Sequence, residues 1–64
     1  MLDNNLYNLM EQMTKENQSL WRIKNDYLKD ASGCEECQAF WQKMIKDKEE
    51  HVEELGKLIK SHMS

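Results

Sequence analysis

Asp30-Ala31-Ser32-Gly33 interrupts an otherwise helix-forming chain near the middle of its 64 residues, and the fold depends on how that stretch is read. Proline is absent and glycine occurs only at Gly33 and Gly56, so nothing else along the chain punctuates the backbone so strongly. Gly33 can leave the right-handed helical conformation and stop a helix. Ser32 with Glu35 spells the Ser-x-x-Glu capping box that starts one. The expected organisation is a single helical-hairpin domain over residues 1–64, with a helix over about 4–31, a turn at about 32–33 and a helix over about 34–62.

Outward from the turn, the apolar residues keep helical spacing. On the first arm Leu6, Leu9, Met13, Leu20, Ile23 and Tyr27 recur three or four apart, and Leu2, Met10, Trp21, Leu28 and Ala31 widen the stripe. Asp3 is suited to cap that arm. On the second arm the stripe is Phe40, Trp41, Met44, Ile45, Val52, Leu55, Leu58 and Ile59, with Lys57 and Lys60 near the helix C-terminus, where the dipole favours cations. The fold class predicted is all-α, an antiparallel two-helix hairpin, because so short a turn allows no other arrangement. Folding at Ser32 and Gly33 would set Leu6 level with Leu58 and Ile59, Leu9 with Leu55, Met13 with Val52, Leu20 with Met44 and Ile45, and Tyr27 with Cys37 and Phe40.

Both stripes are wider than a two-helix seam covers. A unit of this size also buries only about 60% of its unfolded surface and needs outside support. The stripes therefore predict an association face, and the simplest partner is a second copy related by a two-fold axis, giving a four-helix bundle. The alternative partner is another helical protein. Charge narrows the field further: 12 acidic and nine basic residues are interleaved to a net charge of -3, which does not favour nucleic acid. No apolar run is long enough to cross a bilayer, and no basic segment followed by an apolar one suggests a secretory leader, so no membrane role is expected. Two cysteines in a single CxxC are too few for a secreted disulfide scaffold, which favours the cytoplasm.

One level of the hairpin is polar. Between Met13 and Leu20 the core-facing position is Glu16, and the expected register sets it opposite Lys48 and His51. A buried carboxylate is costly unless it is paired or ligates something. One reading is a Glu16–Lys48 ion pair with His51 hydrogen-bonded beside it, fixing register as buried polar residues do in coiled coils. The other is a metal site in which Glu16 and His51 from two chains converge on iron, manganese or zinc, with Asp47 orienting His51.

The stretch Phe40-Trp41-Gln42-Lys43-Met44-Ile45-Lys46-Asp47-Lys48-Glu49-Glu50-His51-Val52-Glu53-Glu54-Leu55, with Tyr27-Leu28-Lys29-Asp30-Ala31 before the turn, resembles the first helix pair of rubrerythrin-like proteins of the ferritin-like superfamily. The resemblance implies a half-bundle that pairs into a ferritin-like four-helix bundle. The family ligates its metals through a glutamate on the first helix and a Glu-x-x-His on the second. Here only His51 matches, Lys48 stands at the glutamate position, and Leu20 stands at the first-helix carboxylate, with Glu16 one turn earlier. The resemblance thus implies the bundle without the family's oxidase or peroxidase chemistry.

Cys34-Glu35-Glu36-Cys37 opens the second helix, where the dipole favours thiolate and the two glutamates oppose it. A thiol module, or half of a tetrahedral zinc site, is chemically available from this pair. The plainer expectation is Cys37 packed near Tyr27 and Cys34 as a surface thiol. Glu49, Glu50, Glu53 and Glu54 read as a solvated face, His62 as a solvated terminal residue and the methionines as core. No nucleophile–histidine–acid set, phosphate-cradling loop or nucleotide fingerprint is present. The sequence therefore predicts a small, non-catalytic, self-associating helical module, with the metal-binding and thiol readings as alternatives.

Overall fold

The computed structural model describes residues 3–63; Leu2, at the head of the first stripe, lies outside them. α1 runs Asn4–Arg22, continues through a π-helical turn Ile23–Tyr27 into the short α2 Leu28–Asp30, and a turn leads to α3, Glu35–Met63. Among the described residues there is no strand, and the two arms pack against each other. Asp3 caps α1 from extended backbone: its carboxylate accepts the Asn5 N–H at 3.0 Å. Met13 lies against Gly56 near the open end, where a Cβ at Gly56 would sit 3.5 Å from the Met13 methyl, and Tyr27 lies against Trp41 near the turn, ring centroids 5.0 Å apart. Contacts that climb one arm while descending the other make the arms antiparallel.

The polar level keeps the expected register, with Glu16 facing Lys48 and His51. To either side, Met13 reaches Gly56, a turn beyond Val52, and Tyr27 packs on Trp41 while sharing a pocket with Cys37. The turn between the arms covers residues 31–34. Ser32 N–H donates to the Lys29 carbonyl and Cys34 N–H to the Ala31 carbonyl, with Gly33 at φ 105°. That positive φ is what requires glycine. The capping box is not used: α3 begins at Glu35, and Cys34 is its N-cap residue. The Cys34 sulfur accepts the Cys37 N–H at 3.3 Å and its carbonyl accepts the Gln38 N–H at 3.0 Å.

The π turn is the second departure. Leu28 N–H donates to the Ile23 carbonyl, a five-residue step in place of four. The extra residue carries the seam from Ile23 to Leu28 and turns Tyr27 outward, leaving it 38% exposed while Leu28 is half-buried. Just before this step, the Asn25 side-chain amide donates to the Trp21 carbonyl at 2.8 Å. Trp21 and Met10, expected to widen the core stripe, are instead largely exposed.

Candidate functional site

Glu16, Lys48 and His51 converge at mid-height between α1 and α3. The Lys48 ammonium lies 2.7 Å from Glu16 Oε2 and His51 Nδ1 lies 2.9 Å from Glu16 Oε1. Because an ionised carboxylate can only accept, Nδ1 carries the proton and donates. Glu16 is buried and the Lys48 side chain nearly so, whereas more than half of the His51 side chain faces solvent. The Lys48 ammonium first, and the His51 ring after it, hold the Glu16 carboxyl below its usual value against the opposing effect of burial. Among the described residues no buried side-chain nitrogen or oxygen lacks a partner, so the layer is fully satisfied.

Within one chain the Glu16 carboxylate is committed to protein partners. One carboxylate oxygen faces an ammonium at 2.7 Å, which competes with a cation for the same charge. One chain supplies two donors, Glu16 and His51, and among its described residues no group of three or more His, Cys, Asp or Glu side chains is arranged to hold an ion, so a site of two Glu16 and two His51 needs a second copy. The His51 Nδ1 contact goes to Glu16 and not to Asp47, so Asp47 does not orient the ring through that nitrogen.

The second cluster lies at the turn. Cys34, Cys37, Tyr27, Trp41, Asp30 and Ala31 line an open pocket of ≈ 320 Å³. The exposures of the cysteines are the reverse of expectation: Cys34 is half-buried and Cys37 exposed. Capping explains this, since the N-cap side chain must turn back over the first helical turn to reach the Cys37 amide. Both thiols are free. Hydrogen bonding from the Cys37 thiol, then from the Cys37 and Glu36 amides, draws the Cys34 thiol below its ordinary range, while the same contact with Cys34 pushes Cys37 up.

Of the association-face residues, Ile23 is fully buried; Leu6, Leu9, Met13, Leu20, Trp41, Met44, Val52, Leu55 and Ile59 are half-buried, and Tyr27, Phe40 and Leu58 are exposed. His62 is exposed. A cross-arm pair from Lys24 to Glu49, 3.1 Å long, went unseen in the sequence because Glu49 reads as part of a solvated acidic face. No helix of the described residues is long and apolar enough to cross a membrane. Comparison with family models, curated proteins and solved structures returns no match. The arrangement is therefore interpreted from its own atoms.

Proposed function

We propose that the hairpin is a self-association module, closing its apolar faces against a second copy in a four-helix bundle of ferritin-like architecture, with Glu16, Lys48 and His51 fixing the register. The observation that carries this is the surface left uncovered. The chain exposes 5114 Å², whereas a compact monomer of 7.7 kDa exposes about 4,300 Å². The excess of about 800 Å² equals one partner's share of a standard protein interface. Its radius of gyration of 14.6 Å likewise exceeds the roughly 10.7 Å of a globule of this length.

The exposed area is apolar where it matters. Ile23 is the only fully buried hydrophobic side chain of the described residues, and Tyr7, Met10, Trp21, Phe40, Leu58 and Met63 are each 47–66% exposed. One hairpin thus has a seam and almost no core. A second copy supplies two arms of matching length, so the half-buried residues of both gain cover at once. The fully paired polar layer supports a register role, because an ion pair aligns only when the arms meet at one height.

Sedimentation equilibrium at micromolar concentration tests the reading. A folded species of twice the chain mass is expected, and Leu58→Lys should dissociate it, since a charge at a half-exposed position disturbs a dimer more than a hairpin. A well-folded monomer at that concentration would overturn self-association. A poorly folded monomer that becomes helical only with another helical protein would overturn the second-copy assignment in favour of that partner.

A further inference from the structure

We propose that Cys34 and Cys37 are a dithiol that reduces small, positively charged disulfides at the turn, with Cys34 attacking and Cys37 resolving. Three features of the fold meet there. Cys34 sits at the N-cap of a 29-residue helix, where the aligned amides stabilise negative charge, and its sulfur already accepts the Cys37 N–H at 3.3 Å. Cys37 is one helical turn on, at the i, i+3 spacing that brings side chains together, and is exposed enough to follow the first exchange with a second. Tyr27, the last residue of the π turn, packs at the edge of the seam on Trp41 of the opposite arm, and both rings line, with the two cysteines, a pocket of ≈ 320 Å³.

The chemistry balances without any further cofactor. Cys34 thiolate attacks one sulfur of a disulfide RSSR, forming Cys34–S–S–R and releasing RS⁻. Cys37 gives its proton to solvent and attacks the Cys34 sulfur, expelling the second RS⁻ and closing a Cys34–Cys37 disulfide. The dithiol loses two electrons and the small disulfide gains them. The lowered Cys34 thiol and raised Cys37 thiol match these roles of attacker and resolver.

Charge selects the substrate class. Between Asn25 and Gln42 the chain carries Asp26, Asp30, Glu35 and Glu36 against the single base Lys29, and Asp30 lines the pocket itself. The Asp30 carboxylate at the pocket, within an acidic stretch of chain, attracts an ammonium-bearing disulfide and repels an acidic one, to a degree that salt reduces.

The test reacts the reduced protein with cystamine and with glutathione disulfide, following products by mass spectrometry. Wild type should end as the internal disulfide, Cys37→Ser should accumulate the mixed disulfide on Cys34, and Cys34→Ser should react at least about tenfold more slowly. Serine is a strong N-cap, so Cys34→Ser keeps the helix start, and circular dichroism checks this. Peptide-mapped alkylation of the unsubstituted protein gives the same ranking independently, with Cys34 labelled first. Cystamine should be preferred over glutathione disulfide roughly three- to tenfold more than by free cysteine, and less so at high salt. Equal rates for the two serine variants, or a wild type that stops with a small molecule on each cysteine, would overturn the dithiol. A preference equal to that of free cysteine would overturn the cationic substrate class.

Discussion

The middle of the hairpin and its turn end are built on different logics. At mid-height the structure is periodic: an interruption in one apolar stripe meets an interruption in the other, and Glu16, Lys48 and His51 satisfy one another there. At the turn end the periodicity fails. A five-residue step rotates Tyr27 outward, the turn takes four residues, and a cysteine sulfur does the capping that Ser32 and Glu35 were suited to do. The contrast teaches that charge balance inside a seam is set by spacing, whereas exposed chemistry is placed where spacing is broken. π-Bulges often mark functional sites for this reason.

The largest expected effect would break the middle. Lys48→Met leaves Glu16 without its counter-charge. Water lies close on both sides of a two-helix layer, so the cost in an isolated hairpin is about 1–3 kcal/mol, rising toward about 3–5 where a second hairpin covers the layer. Replacing Glu16 and Lys48 together with apolar residues of similar size should recover much of the loss. The pH dependence follows from the lowered Glu16 carboxyl. Its contribution to stability is complete above the unfolded value of 4.5 and is lost as pH falls through the lower folded value. Lys48→Met should flatten that acid limb. Urea melts of the single and double variants between neutral and acid pH measure both effects, and an unchanged midpoint for Lys48→Met would show that the pair contributes nothing.

These two regions also mark what could be read in advance. Helicity, two arms and the polar trio follow from the three-and-four spacing, which burial enforces, and from Gly33, which the turn's positive φ requires. The path of the turn did not follow, since residues 31–34 close it with backbone hydrogen bonds that leave no side-chain pattern beyond Gly33. The Cys34 cap was hidden because sulfur is a weak acceptor, seldom chosen over serine. The π turn had a signal: Ile23 and Leu28 lie five apart, and treating Tyr27 as the seam residue concealed it. Glu49 was hidden because its partner Lys24 reaches it only across the arms.

A smaller effect probes the turn itself. At Gly33, φ of 105° strains any residue with a Cβ, although no atom within 4 Å would obstruct one. Gly33→Ala should therefore cost about 1–2 kcal/mol through backbone conformation alone. Thermal unfolding would show the loss, and Gly33→Asn should retain part of it, because asparagine tolerates positive φ better. Equal losses for both would mean that side-chain crowding, and not φ, governs the position.

The smallest effect is the most discriminating, because it asks whether the packing of the arms depends on the π turn. Deleting Asn25 removes one residue from the five-residue step, so Ile23 and Leu28 become i, i+4 neighbours on a continuous α-helix and the seam on either side keeps its face. Regular hydrogen bonding is regained, and the Asn25–Trp21 bond is lost. These offset each other, and stability should change by no more than about 1 kcal/mol in either direction. Deleting Lys15, within the regular helix, is the control: every later residue of the arm rotates by about 100°, the seam is scrambled, and the hairpin should unfold. Tyr27, still the neighbour of Leu28, should keep its place against Trp41. Energy transfer from Tyr27 to Trp41, isolated in a Tyr7→Phe, Trp21→Phe background with tryptophan emission as acceptor signal, should persist together with helicity. If the deletion unfolds the chain as fully as the Lys15 deletion does, the π turn is a packing element, and the contrast between a periodic middle and a placed turn end fails.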